Sequence, residues 1–95
     1  MDNFRPGQLV RSLAGRDKGE HYLVIKVLDP RQVLLANGRS RTLGRPKKKN
    51  IAHLQRYGRR AEIEELLHAQ KLTDSHVIRF IKELAPLEDV LKQEV

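Results

Sequence analysis

The sequence predicts a mainly β fold with an α appendage: a small five-stranded barrel followed by two short C-terminal helices. Short β-rich runs between residues 8 and 54 are separated by Gly and Pro turn signals. Asn37-Gly38, a strong two-residue hairpin signal, lies between two of these runs. From Arg59 onward the apolar residues recur at helical spacing. A chain of 95 residues suits one domain, which we divide into a barrel at residues 1–58 and a helical extension at residues 59–95.

The first three strands are predicted at residues 8–13, 22–28 and 32–36. Pro6-Gly7 is a turn pair that opens the fold, and Asp29-Pro30 separates the second and third strands. Between the first two strands, Gly15 and Gly19 bracket a charged triplet, which predicts an exposed loop. The second strand is too apolar for clean alternation, which indicates that it is buried in a small barrel.

Asn37-Gly38 predicts a type I′ hairpin, because both turn positions need positive φ. The returning strand would be residues 39–43, with Arg39, Arg41 and Leu43 on one face. Residues 44–50 are interpreted as a basic loop, and residues 51–54 as the last short strand.

Two helices are predicted after residue 59. The first has its apolar face at Ile63, Leu66, Leu67 and Gln70, with Glu62, Glu64 and Glu65 in its first turn, where carboxylates suit the helix dipole. The second begins at the N-cap Thr73, carries a Leu72–Val77 staple and an apolar stripe, and ends before Pro86. Residues 87–95 are interpreted as a third short turn or a frayed tail. We expect the helices to pack mainly against each other and one barrel edge.

The charge is segregated along the chain. Between Asp29 and Glu62 there are ten Lys or Arg residues and no acidic residue. Residues 1–60 hold fifteen basic and four acidic residues, whereas residues 61–95 hold four and eight. A one-sign stretch of this length is typical of a protein that meets a polyanion, and nucleic acid is the commonest one in a cell.

The order of motifs supports a resemblance to a known family. Pro6-Gly7-Gln8-Leu9-Val10, the segment from Gly15 to Gly19 and the following apolar strand resemble the KOW motif of ribosomal proteins and transcription elongation factors. When Asn37-Gly38 and the basic run before His53 are included, residues 4–55 are similar to small bacterial KOW-domain RNA-binding proteins. Those proteins are in turn similar to KOW-type large-subunit ribosomal proteins of archaea and eukaryotes. The resemblance implies an SH3-like barrel that binds structured RNA, typically ribosomal RNA, without enzymatic activity.

The candidate RNA-binding residues are the cationic side chains of the glycine-bracketed loop, the hairpin, the lysine run and the following segment. Arg forks can bridge two phosphate oxygens, while Lys acts as a mobile point charge. Gly19 and Gly38 are interpreted as backbone-geometry positions. With four scattered aromatic rings, recognition by backbone and shape is favoured over base stacking. The candidates are Arg16, Lys18, Arg39, Arg41, Arg45, Lys47, Lys48, Lys49, Arg56, Arg59 and Arg60.

Other chemistry lacks a pattern. There is no cysteine, and the four histidines are not spaced as zinc ligands, so neither a metal site nor a cofactor is expected. Asp17 is interpreted as a loop-capping side chain, and no catalytic constellation is found, so we expect no enzyme. Without a secretory h-region or a membrane-length apolar run, the sequence indicates a cytoplasmic protein.

Two function classes remain. The first is a non-catalytic binder of structured RNA, a ribosomal-protein-like or ribosome-associated factor in translation. The second is a protein-interaction adaptor in transcription or translation, in which the barrel and the acidic helical tail hold a protein partner.

Overall fold

A computed structural model describes residues 4–86 of the chain. The described elements are five strands, two α-helices and one 3-10 turn. They are β1 (Gln8–Ser12), β2 (His21–Asp29), β3 (Gln32–Ala36), β4 (Lys47–Asn50), the 3-10 turn Ile51–His53, β5 (Leu54–Arg60), α1 (Glu64–His68) and α2 (Asp74–Leu84). The mainly β composition with two helices is therefore confirmed; the interpretation of residues 87–95 lies outside the described part.

The strands form one antiparallel sheet in the order β4-β3-β2-β1-β5. The sheet is open, with β4 and β5 as its edges, yet only three residues separate these two strands in the chain. That connection reaches about 15 Å at most, whereas the edges of a flat five-stranded sheet lie about 19 Å apart. The sheet must therefore curl, and register shifts in the β1–β5 and β2–β3 pairs are consistent with this bending.

The concave face of the sheet holds the first apolar cluster. Val10, Tyr22, Val24, Val33, Leu35 and Leu54 are buried together, with the partly buried Phe4 and Ile51 packed against them. These buried residues come from β1, β2, β3 and β5. A single cluster of this origin is compatible with the curvature inferred from the short β4–β5 connection.

The opposite face of the sheet is covered by α2. Val77 is fully buried against Leu9, Leu23 and Ala36, which belong to β1, β2 and β3. No α1 residue belongs to this cluster. The expectation that the helices pack mainly against each other and one edge is therefore wrong: α2 lies on a sheet face, because its apolar stripe matches the outward-facing apolar residues of three strands.

The first three strands match their predicted positions to within one residue at each end. The strand predicted at residues 39–43 is wrong, because these residues form bends and a turn. The interpretation of residues 44–50 as a loop is wrong for Lys47–Asn50, which is β4 and pairs with β3. The last strand begins where the predicted one ends, at Leu54, and runs to Arg60. The predicted division at residue 58 falls inside it.

The helix caps follow the sequence closely. Thr73 Oγ1 accepts a hydrogen bond from the backbone N–H of His76, and the His76 ring accepts from the Thr73 N–H, forming a capping box. Leu72 packs in the same cluster as Val77, as the staple requires. Helix α1 is shorter than predicted, with Glu64 and Glu65 in its first turn and Ile63 as its N-cap.

Candidate nucleic-acid interface

Asp17 is the centre of a bonded cluster at the end of the concave core. The loop that carries it, residues 13–20, turns at Gly15 and Gly19, both with positive φ. Gly19 N–H donates to the Ser12 carbonyl at 2.8 Å, which closes the loop. The Asp17 carboxylate then accepts hydrogen bonds from the Ser12 hydroxyl at 2.9 Å and the Tyr22 hydroxyl at 2.8 Å. The Asp17 side chain therefore ties its loop to β1 and β2 through side-chain hydroxyls.

Two lysines of β4 also reach Asp17. Lys47 Nζ lies 3.0 Å from Oδ2, and Lys49 Nζ lies 2.8 Å from Oδ1. The alternation of a strand sends both side chains to the face where their β3 partners, Leu35 and Val33, are buried. Lys49 also donates to the Ala14 carbonyl and the Ser12 hydroxyl, and its side chain is only 9% exposed. Lys49, which was predicted from the sequence to lie in a basic loop, is therefore a structural residue of β4.

The Asp17 cluster is fixed in one protonation state near neutral pH. Burial raises the pKa of Asp17, but hydrogen bonds from Lys49, Lys47, Tyr22 and Ser12 outweigh it, so the pKa lies well below its ordinary value. Burial raises the pKa of Tyr22 above its ordinary value, and the hydrogen bond to Asp17 raises it further. An ionised carboxylate and a protonated phenol, both fully bonded, suit a structural cluster rather than proton transfer.

A second cationic segment is the loop from Asn37 to Pro46, called here the arginine loop. The Asn37 side chain accepts hydrogen bonds from the N–H groups of Arg39 and Arg41, both at 2.9 Å. Gly38 has φ +78°, as a backbone-geometry position requires. These local bonds satisfy the backbone and replace the predicted hairpin. They leave the side chains of Arg39, Arg41 and Arg45 exposed.

Helix α2 holds the arginine loop in place. Leu43 N–H donates to the Asp74 carboxylate at 2.9 Å. At Gly38, a Cβ atom would lie 2.5 Å from the Asp74 carbonyl oxygen and 2.7 Å from Ile78 Cγ1, so only glycine permits this approach. The sequence did not indicate that the helical extension would support candidate binding residues.

The structure joins three segments that carry candidate residues. The Asp17 ion pairs join the loop of Arg16 and Lys18 to β4, and Arg41 is close enough to lower the pKa of Tyr22 electrostatically. Residues 14–20 and 37–49 together carry eight cations and two carboxylates, a formal surplus of six positive charges. The exposed cations of this cationic surface are Arg16, Lys18, Arg39, Arg41, Arg45 and Lys48.

The three arginines of β5 lie elsewhere. Arg60 is half-buried, donates to the Pro6 carbonyl and pairs with Glu64, with Glu62 3.6 Å away. The Arg59 guanidinium donates to the Leu84 carbonyl at 3.3 Å. Arg56 is exposed and borders a pocket with Phe4 and Ile51. The structure therefore separates these three candidates from the cationic surface and ties Arg59 and Arg60 to the helical extension or the N-terminal segment.

The sequence interpretation missed one potential binding feature, the pocket that Arg56 borders. It also contains Arg31, which was counted in the basic stretch but not chosen as a site residue. Arg31 follows Asp29-Pro30 at an exposed turn, and this turn position next to a one-sign stretch was the available signal. The turn is fixed by Asp29 Oδ1, which accepts from the N–H groups of Arg31 and Gln32.

Other site types have less support in residues 4–86. No three His, Cys, Asp or Glu side chains there are grouped closely enough to hold a metal ion. His21 is buried and stacks on Tyr57, with their rings 5.7 Å apart. None of the helices in this part of the chain has the length and apolar character needed to cross a membrane. Comparison of the chain with protein-family models and with curated proteins finds no match.

Proposed function

We propose that the protein is a non-catalytic binder of structured RNA, and that the cationic surface is its contact with the phosphate backbone. Two observations carry this proposal: the Asp17 ion pairs join the loop of Arg16 and Lys18 to β4, and six cationic side chains of these segments and the arginine loop are exposed. The one carboxylate at the junction of these segments, Asp17, is already neutralised by Lys47 and Lys49. Of the acidic side chains in residues 14–20 and 37–49, Glu20 is exposed, and it lines a cavity with Arg39.

The arrangement suits a folded RNA better than an isolated phosphate. The cations lie on separate segments that are fixed to one another by the Asp17 cluster and by Asp74. A rigid array of this kind can match the positions of several phosphates at little cost in conformational entropy. Contacts to phosphate position a protein without reading sequence directly, so we expect discrimination by RNA shape.

The proposed fold type is an SH3-like barrel of the KOW kind. Two observations favour it: β1 pairs with both β2 and β5, and the edges β4 and β5 are joined by a three-residue 3-10 turn. The resemblance of residues 4–55 to KOW-domain proteins extends the proposal to ribosomal RNA and to a ribosome-associated role in translation. In this interpretation, Lys48 and the two loops are RNA contacts, while Lys49 secures the barrel end.

The test measures the affinity for a hairpin RNA as a function of salt. Six phosphate contacts predict a log–log slope of about −4 to −5. Arg16→Gln, Arg41→Gln and Arg45→Gln should each make the slope shallower by about 1. Arg79→Gln is the matched control, since Arg79 is an equally exposed arginine on α2, paired with Glu83. A wild-type slope shallower than about −2 would leave too few ionic contacts and contradict the proposal.

The adaptor alternative also has an observation in its favour. Leu13, Val27 and Leu28 are large apolar side chains that are 39–47% exposed. Isolated exposed apolar residues are common on monomeric proteins, so this observation is weaker than the cationic surface. Sedimentation of the protein with purified ribosomes before and after ribonuclease treatment distinguishes the two, because only an RNA-bound protein is released by the nuclease.

A further inference from the structure

A pocket of about 650 Å³ lies where the sheet curls open between β4 and β5. Its apolar wall is made by Phe4, Ile51 and Leu54, and its polar wall by Arg31, Asn50 and Arg56. Phe4 and Ile51 are only partly buried and pack on the concave core, so the floor of the pocket is the core itself. The volume falls within the range of about 300–1,000 Å³ that small-ligand sites usually have.

The pocket is fixed by hydrogen bonds on two sides. Ile51 N–H donates to the Arg31 carbonyl at 2.9 Å, which ties the 3-10 turn to the β2–β3 turn. Asn50 Oδ1 accepts from the Ala52 N–H at 2.8 Å, so the group that Asn50 can offer to a ligand is its NH₂ donor. A preformed pocket with an aromatic ring, two guanidinium groups and an amide suits a flat, polar-edged ring.

Charge indicates the class of that ring. No carboxylate lines the pocket among the described residues. Among the described residues, the acidic Asp29 lines an adjoining cavity and is bonded to the backbone of its own turn. A cationic rim favours a nucleotide, whose phosphate Arg31 can pair, over an aromatic side chain of a protein.

Asn50 connects the pocket to β4, the strand that carries Lys48. Lys48 and Asn50 are two residues apart on β4, about 7 Å along the strand, and alternation places them on the same side. Their β3 partners are Leu34 and Gln32. An RNA strand that contacts Lys48 and continues along β4 would reach the edge of the pocket at Asn50. A single ring is too little for a stacking array but sufficient for one base.

We propose that this pocket binds one unpaired nucleobase of the structured RNA, stacked on Phe4, with Arg31 pairing its phosphate. The proposal rests on the proposed RNA-binding function and specifies its ligand: a duplex with an extruded base rather than a continuous duplex. The phosphate contacts of the cationic surface would supply affinity, and the base pocket would supply the preference for a bulged site.

The experiment uses the full chain and two hairpin RNAs that differ only by a single bulged 2-aminopurine. Stacking one base on an aromatic ring changes affinity by about 5- to 150-fold in alanine-substitution series, so we expect the bulged hairpin to bind about ten-fold more tightly. Phe4→Leu keeps an apolar side chain but removes the aromatic face, and should abolish this preference while leaving the paired hairpin's affinity unchanged. Phe80→Leu, which removes a ring on the opposite face of the sheet, is the matched control.

Arg31→Gln changes an exposed side chain, so it tests the pocket even if Phe4→Leu is unstable. It should reduce the affinity for the bulged hairpin about five-fold or more and leave that for the paired hairpin unchanged. Equal wild-type binding to both hairpins, with the steep salt slope intact, would overturn the base pocket and leave the RNA-binding function standing. A shallow slope for both hairpins would instead refute the function itself. In NMR titrations, N-acetyl-tryptophanamide stands for a protein side chain and is compared with the bulged hairpin. If N-acetyl-tryptophanamide shifts the Ile51 and Ala52 amide resonances and the bulged hairpin does not, the pocket holds a protein side chain and the proposal is wrong.

Discussion

Replacing Lys49 by Met should destabilise the protein strongly, although Lys49 is one of three consecutive lysines. Its ammonium group makes three hydrogen bonds, to Asp17, Ser12 and the Ala14 carbonyl, at 2.6–2.9 Å, and the side chain is 9% exposed. Hydrogen bonds to charged groups contribute about 1.5–3 kcal/mol each, and removing one partner of a buried ion pair costs about 3–5 kcal/mol. Because Lys47 still pairs with Asp17 in the variant, we expect a loss of about 2–4 kcal/mol. For a chain of this size that lowers the melting temperature by about 10–30 °C.

Lys48→Met is the matched control for this change. Lys48 is adjacent in the chain and exposed, so its substitution should alter the free energy of unfolding by about 0.5 kcal/mol or less. Urea denaturation followed by far-UV circular dichroism measures both variants. The two should also differ in RNA binding: Lys48→Met makes the salt slope shallower by about 1, and folded Lys49→Met keeps it. Equal stabilities of the two variants would refute the structural role assigned to Lys49.

Three further changes test the same architecture. Because the pKa of Asp17 is depressed in the folded state, its stabilising contribution is present above about pH 4 and is lost as the pH falls further. Urea denaturation between pH 7 and pH 2.5 should therefore show that the free energy of unfolding falls more steeply with acid for the wild type than for Asp17→Asn. Parallel pH dependences of the two proteins would contradict this. In Gly38→Ala, a residue with positive φ gains a Cβ that lies 2.5 Å from the Asp74 carbonyl oxygen. Thermal denaturation should therefore show that the free energy of unfolding falls by about 1–3 kcal/mol. Gly58→Ala, whose Cβ would meet nothing within 4 Å, is the control. Truncation to residues 1–58 cuts β5 and uncovers the sheet face that α2 buries. The fragment should therefore lose its cooperative thermal transition. A folded fragment that binds RNA would show that the helical extension is dispensable.

Local signals were sufficient for much of the fold. The first three strands and the N-cap at Thr73 each depend on residues close in sequence. A turn pair, an apolar run and a capping residue act within a few residues of one another, so their effect is visible in the sequence. The prediction of a mainly β chain followed by two helices depends on these features alone.

The errors arise where distant residues decide the structure. Lys47–Asn50 has no apolar alternation, and its strand conformation depends on pairing with β3 and on Asp17, thirty residues earlier. The segment at residues 39–43 has strand-like alternation, but the Asn37 side chain satisfies its backbone locally and Asp74 holds its end. In the candidate site, charge indicated which segments are cationic. It could not separate the buried Lys49 from the exposed Lys48, because that distinction depends on strand register.

The contact of Asp74 with the arginine loop couples the docking of α2 to the conformation of one part of the cationic surface. The Leu43–Asp74 hydrogen bond and the close approach at Gly38 form only while α2 is docked. A ligand that favours the ordered loop must therefore favour the docked helix by the same free energy, since linkage is reciprocal. If the cationic surface binds RNA as proposed, a protein that captured α2 would weaken that binding without touching any of the exposed cations. Under the proposed function, the helical extension could then report RNA occupancy to a partner and receive a signal from one.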